Sequence, residues 1–238
     1  MPNPATRLHA ILTKARSKPL RDRPMMEGWK TLLGLQKESD DLLLITKLGK
    51  VYALPAQITS GIQRFKDLDQ DLFLGWRKDL TAAFTKLRFD TNFAHFSDGL
   101  TDSLLINVKF CAHELDRRIP EKEISRDLIA GVRNDIWALY QKISESDIGP
   151  PLDRYLLDRL WSLLEAIDDY EISGVAPIES AMNEIVGTIA TSPEIAKSAH
   201  SSVFGEEFWK ILGRIGVILS ISKTVLELGD RIQKSIGQ

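Results

Sequence analysis

Residues 208–232 read FWKILGRIGVILSISKTVLELGDRI, the most apolar stretch of this chain. Its apolar positions alternate in steps of three and four residues, the spacing that places side chains on one face of an α-helix. The positions on this face are Phe208, Ile211, Ile215, Ile218, Ser222, Val225, Gly229, Ile232 and Ile236. The sequence therefore predicts an amphipathic C-terminal helix of about 30 residues.

Charged side chains interrupt this helix too often for it to cross a bilayer. They are Lys210, Arg214, Lys223, Glu227 and Asp230, and the longest uncharged run is residues 215–222. A spanning helix needs about 20 mostly apolar residues, and one charge at mid-bilayer costs about 2.5 kcal/mol or more. We expect no transmembrane segment here.

Two interpretations of the apolar face stay open. It either belongs to the core of its own domain or docks on a protein partner or a second copy of the chain. Small side chains at Gly213, Gly216 and Ser220 permit close helix packing in both cases. If the face is an interface, its partner-binding residues are Phe208, Ile211, Ile215, Ile218, Val225 and Ile232.

Helical spacing also dominates the rest of the chain, so the sequence predicts an all-α protein, an irregular bundle of about eight to ten helices. One long helix is predicted from Leu68 to Leu87, burying Trp76 and Phe84. Residues 42–54 fit a helix or a hairpin, and the helix-start signal at residues 39–41 favours the helix. All five tryptophans have the spacing of core positions; they are Trp29, Trp76, Trp137, Trp161 and Trp209.

The strongest break in helical spacing is Gly149-Pro150-Pro151. It divides the chain into a predicted N-terminal lobe, residues 1–148, and a C-terminal lobe, residues 149–238, unless the two form one continuous domain. Residues 1–38 carry eight basic and three acidic side chains, whereas residues 145–184 carry ten acidic and two basic ones. This difference predicts a salt-sensitive attraction between the two segments, within one chain or between copies.

Composition indicates a soluble globular protein, with 43% hydrophobic residues, 27% charged residues and a net charge of −2. With so small a net charge, we expect no overall electrostatic attraction of nucleic acid or anionic lipid. A single cysteine, Cys111, forms no internal disulfide and fits a reducing compartment, so we expect a cytoplasmic protein. The basic residues before Asp22 fit the solvated face of a first helix. Contact with nucleic acid there, or an organellar transit peptide, are the alternatives.

Motifs for nucleotide, zinc and serine-hydrolase chemistry are missing from the sequence, so we expect no cofactor and no metal site. Asp67, Asp69 and Asp71 have the opening spacing of a calcium loop, but Leu72 stands where that loop needs glycine. We expect these aspartates to cap a helix. His113 and Arg117 share a helix face, where we expect a surface hydrogen-bonded cluster.

Arg88 and His95 are separated by six residues. This pair resembles the Arg-x4–6-His element of the HEPN ribonucleases, an all-α and usually dimeric family. The resemblance implies that Arg88 and His95 would converge on RNA at a dimer interface. Phe89 departs from the pattern, in which a polar residue follows the arginine, and residues 90–92 are typical of a turn.

The sequence thus predicts a non-enzymatic interaction or accessory protein that binds a protein partner, or self-associates, through its C-terminal helix. Two alternatives remain. One is a HEPN-like, metal-independent ribonuclease that uses Arg88 and His95. The other is an effector that acts at a membrane surface through its basic start and its C-terminal helix.

Overall fold

The computed structural model describes residues 3–146, 152–192 and 204–219. No β-strand occurs among them, and one isolated antiparallel bridge joins Pro24 to Asn92. The predicted all-α class is therefore confirmed. Contacts group the chain into two compact units: the first contains residues 1–121 and 171–174, and the second contains residues 122–170 and 175–238.

The first unit is built on two long helices, α4 and α8, with α1 packed against both. Its helices are α1 (Pro4–Ala15), α2 (Lys18–Arg21), α3 (Met25–Leu32), α4 (Asp41–Gln63), α5 (Gln70–Leu74), α6 (Trp76–Thr85), α7 (Ala94–Ser97) and α8 (Asp102–Arg118). Aromatic rings fill its centre, where Trp29 lies 5.6 Å from Phe93 and 4.8 Å from Phe96 between ring centroids.

In the second unit, the pair of α9 and α10 packs against two further helices. The helices after α8 are α9 (Arg126–Ser144), α10 (Leu152–Asp168), α11 (Tyr170–Ser173), α12 (Ala176–Thr191) and α13 (Gly205–Leu219). Fully buried aliphatic residues such as Ile136, Leu160 and Ile185 form its core. The Tyr170 hydroxyl accepts a hydrogen bond from the backbone N–H of Ile124 at 2.8 Å.

Side-chain caps explain where several helices begin. The Asp40 carboxylate accepts from the N–H of Leu42 at 3.0 Å and starts α4, so residues 42–54 are helical, as favoured from the sequence. Asp69 accepts from the N–H groups of Asp71 and Leu72 and starts α5, which confirms its predicted capping role. Each cap satisfies backbone donors that the first helical turn leaves unpaired.

The single helix predicted from Leu68 to Leu87 is wrong, because the structure divides it at Gly75 into α5 and α6. Both halves keep the same apolar spacing, so periodicity alone does not reveal the break. Glycine is the residue that a helix interior tolerates least after proline. Trp76 is buried as predicted, whereas Phe84 is only partly buried.

The contact boundary between the units lies at Glu121/Lys122, whereas the sequence prediction placed a boundary at residue 149. Residues 147–151 lie outside the described residues. The helices on either side of them, α9 and α10, pack extensively against each other within the second unit. A turn in a helical hairpin and a linker between lobes produce the same interruption of helical spacing.

Candidate functional site

The apolar face of the C-terminal helix lies in the core of the second unit as far as Leu219. Phe208, Ile211 and Ile215 are buried there, and Ile218 is partly buried against the same cluster. The predicted interface residues Val225 and Ile232 lie outside the described residues. For its described half, the helix is therefore core, and Phe208, Ile211 and Ile215 are not exposed for a partner.

The basic N-terminal segment is largely neutralised by acids of its own unit. The ion pairs are Arg7–Glu121, Arg16–Asp102, Arg21–Asp98, Lys30–Asp41 and Lys37–Glu27. Among the residues of the predicted solvated basic face, Lys14, Arg16 and Lys18 are exposed, whereas Arg7 is buried. The ion pairs weaken the basis for nucleic-acid contact there. The acids of these five pairs lie outside residues 145–184, the segment predicted to attract them, although Arg7 binds the carbonyl oxygen of Ile172 within that segment.

Arg7 is the most deeply buried of these cations. Its Nε donates to the carbonyl oxygen of Ile172 at 3.0 Å, and its Nη1 donates to Glu121 at 2.6 Å. Gly174, with φ of 72°, lies so close to the guanidinium of Arg7 that there is no room for a side chain at residue 174. Arg7 thus holds residues 171–174 within the first unit. No local pattern in the sequence predicted this role.

Arg88 and His95 do not share a helix. Arg88 lies in the loop before α7, and its Nε and Nη2 donate to the two carboxylate oxygens of Asp90 at 3.2 and 2.9 Å. This pairing raises the pKa of Arg88 and lowers that of Asp90. His95 is exposed on the four-residue helix α7. Arg88 is thus paired within its own loop, and no single helix presents Arg88 and His95 together.

A surface cluster of ion pairs joins the end of α8 to Asp67. Arg118 donates to both carboxylate oxygens of Asp67, at 2.9 and 2.5 Å, and to Glu114 at 2.9 Å. The bonds from Arg118 lower the pKa of Asp67, and bonds from Arg117 and Arg118 lower the pKa of Glu114. His113 is exposed beside them. In the described ranges, no group of acidic, histidine or cysteine side chains is arranged to hold a metal ion.

Two of the tryptophans predicted to be core are exposed instead. Trp137 on α9 is 39% exposed and Trp161 on α10 is 47% exposed, whereas Trp29 and Trp76 are buried as predicted. Tyr140 joins the exposed pair: its ring stacks on Trp137 at 5.6 Å and lies 5.8 Å from Trp161. We call Trp137, Tyr140 and Trp161 the aromatic patch.

Two carboxylates flank the aromatic patch on α10. Asp158 precedes Trp161 by three residues and Glu165 follows it by four, so both lie on the same side of the helix as the indole ring. Both are exposed, and neither forms an ion pair within the described part of the chain. The patch therefore combines uncovered aromatic rings with unpaired negative charge.

A second surface feature is a groove between α4 and α6 in the first unit. It encloses about 420 Å³ and is lined by Tyr52, Pro55, Ala56, Arg77, Leu80, Thr81, Phe84 and Thr85. The rings of Tyr52 and Phe84 lie 4.3 Å apart at one wall, and burial raises the pKa of the Tyr52 hydroxyl. We call it the α4–α6 groove.

Comparison of this chain with protein-family models, with curated proteins and with solved structures finds no match. The resemblance to the HEPN ribonucleases therefore stands on Arg88 and His95 alone. Among the helices that the structure describes, none combines the length and the apolar character needed to cross a bilayer.

Proposed function

We propose that this chain is a non-enzymatic interaction protein that binds a protein partner through the aromatic patch. The observation that carries the proposal is the exposure of two tryptophans in ring contact with Tyr140. Tryptophan and tyrosine are the residue types that most often dominate the binding energy of protein interfaces. The predicted interface on the C-terminal helix is thereby replaced by one on α9 and α10.

The energy available at the patch is sufficient to anchor a partner. A buried aromatic side chain covers about 150–250 Å², so each partly exposed indole leaves on the order of 100 Å² to be covered. At about 25 cal/mol per Å², covering one indole contributes about 2.5 kcal/mol. The rings are already in contact with one another, so ordering them on binding costs little side-chain entropy.

The charge at the patch specifies the chemistry of the partner. Asp158 and Glu165 attract a segment that carries arginine or lysine side chains, and the indole faces bind the same cations through cation–π contacts. A basic segment of a protein partner therefore fits the patch best. This complementarity also predicts that higher salt weakens the complex.

Site-specific photo-cross-linking identifies the partner. A photo-reactive residue replaces Ala138, which is exposed beside Trp137, and the matched control replaces Ala190, which is exposed on α12. We expect a discrete cross-linked protein from Ala138 and none of that mass from Ala190. Equal cross-linking from both positions would contradict a role for the patch.

The cross-linked protein is then purified and titrated against variants. We expect Trp161→Ala to weaken binding by about tenfold or more, and Glu165→Lys to weaken it in a salt-dependent manner. Glu145→Lys, the same charge change at the end of α9, is the control and leaves binding unchanged. Binding by Trp161→Ala as tight as by the parent would refute the proposal. RNA cleavage dependent on Arg88 and His95, or flotation with anionic liposomes, would instead favour one of the alternatives.

A further inference from the structure

One face of α4 is apolar and uncovered although the opposite face lies in the core. Its positions, which we call the α4 strip, are Leu42, Ile45, Gly49, Tyr52, Ala53 and Ala56, all of them exposed. Leu42 is 69% exposed, Ile45 51% and Tyr52 40%. None of the six carries a charge, and they recur every three or four residues over about 21 Å of helix. This is the pattern of a helix that packs against another helix.

We propose that the α4 strip binds the α4 strip of a second copy of this chain, antiparallel and with the two-fold axis at Gly49. The first argument is the order of side-chain sizes along the strip. Reversal about Gly49 places Leu42 opposite Ala56 and Ile45 opposite Ala53, so each large aliphatic side chain faces an alanine, and Tyr52 falls opposite Thr46. The contact is isologous, since each pairing occurs twice.

Gly49 suits the axis because it meets its own copy there. A Cβ built on Gly49 has no atom within 4 Å, so the helix surface at this point is open. Without side chains at the crossing point, two helix backbones approach more closely than usual and the flanking residues interdigitate. A glycine in a helix interior costs about 0.5–1 kcal/mol relative to alanine, so its presence at an exposed position calls for a reason of this kind.

The α4–α6 groove provides a recess for Leu42 of the second copy, the large side chain at the start of its strip. Ala56 lies in its lining together with apolar walls formed by Pro55, Leu80 and Phe84. Because Leu42 of the copy falls opposite Ala56, its side chain enters this groove. The two-fold axis repeats the same insertion at the other end of the interface.

Charge supports the antiparallel direction. Arg77 and Lys78 flank the C-terminal half of α4, and neither forms an ion pair or hydrogen bond among the residues that the structure describes. Glu38 and Asp40 are exposed at the start of α4. In the antiparallel arrangement these acids of one copy approach Arg77 and Lys78 of the other. A parallel pair would place like charges together at each end, which is unfavourable.

The first test measures solution mass against protein concentration by sedimentation equilibrium. For a strip of this size, we expect a reversible dimer with a Kd of about 10–100 µM. Gly49→Glu places two carboxylates at the axis and is expected to weaken the dimer by about tenfold or more. Gly187→Glu is the matched control, because Gly187 is also an exposed, helical glycine with open space around it.

Several outcomes overturn the inference. A monomer at every concentration up to the millimolar range refutes it, as does a dimer equally sensitive to Gly187→Glu and Gly49→Glu. Both substitutions favour helix over glycine, so both proteins are expected to fold. Because Trp137 and Trp161 lie in the second unit, loss of this dimer leaves the proposed function of the aromatic patch intact.

A second test determines the direction and register by disulfide cross-linking. The natural Cys111 is buried, so cysteines introduced at the surface react alone. Ile45→Cys protein mixed with Ala53→Cys protein is expected to form the mixed 45–53 disulfide under mild oxidation, since these positions face each other across the axis. Links of 45 to 45 and of 53 to 53 without the mixed product would indicate a parallel pair and refute the inference.

Discussion

Replacing Gly174 with alanine is expected to destabilise the first unit far more than the same replacement at Gly34. Both glycines have left-handed backbone angles, with φ of 72° at Gly174 and 71° at Gly34. They differ in their surroundings. A Cβ at Gly34 has no atom within 4 Å, whereas a Cβ at Gly174 would lie 2.3 Å from Nη1 and 2.7 Å from Cζ of Arg7.

The size of each loss in stability follows from the backbone conformation and from the surroundings of the glycine. The left-handed conformation costs a residue with a Cβ about 1–2 kcal/mol, and this cost is common to both positions. At Gly174 the guanidinium must also move, which breaks its hydrogen bonds to Ile172 and Glu121. Each hydrogen bond to a charged group contributes about 1.5–3 kcal/mol, less for Glu121 because water reaches it. We therefore expect a loss of about 3–5 kcal/mol at Gly174 and of about 1–2 kcal/mol at Gly34.

Urea unfolding followed by far-ultraviolet circular dichroism and by tryptophan fluorescence measures both losses. A double-mutant cycle with Arg7→Ala isolates the cause. Once the guanidinium is removed, Gly174→Ala is expected to cost only about 1–2 kcal/mol, as at Gly34. Equal losses at the two glycines, or strict additivity in the cycle, would refute the reasoning.

Two further predictions concern the first unit. Burial raises the pKa of Cys111 from 9.0 to about 11, so between these pH values the folded thiol keeps its proton while the unfolded thiol ionises. The stability that this group contributes is therefore present below pH 9 and is lost as pH rises towards 11. We expect the urea midpoint of Cys111→Ala to decrease less at alkaline pH than that of the parent. Gly28→Ala places a Cβ 2.3 Å from a ring carbon of the buried Phe93, so we expect thermal unfolding to show a loss of about 1–3 kcal/mol. Gly187→Ala, at an exposed helical position with open space around it, is the control and is expected to add about 0.5–1 kcal/mol; a loss there comparable to that at Gly28 would contradict the packing argument.

Local signals account for the parts of the fold that could be predicted. The spacing of apolar residues indicated the all-α class, and the capping aspartates indicated the starts of α4 and α5. These signals depend on residues within one or two turns of each other, so they can be read from a single chain. Gly75 shows their limit, because the spacing continues across the position where the helix ends.

The surface features could not be predicted because exposure depends on what packs above a helix. Trp161 has the same helical spacing as core residues, yet it is 47% exposed because no other described element covers that side of α10. Leu42 and Ile45 are apolar but lie on the uncovered face of α4. Conversely, the cations near the N-terminus suggested a solvated face, and acids distant in sequence neutralise several of them.

The sequence alone determined the helical class, the starts of α4 and α5, and the prediction that residues 208–232 are too charged to cross a bilayer. Each of these depends on neighbouring residues and on composition. The tertiary structure alone decided that Phe208 is core, that Trp137 and Trp161 are surface, and that Arg7 is buried. The physical reason is distance along the chain. The Nε of Arg7 binds a carbonyl oxygen 165 residues away, and only folding brings such groups together.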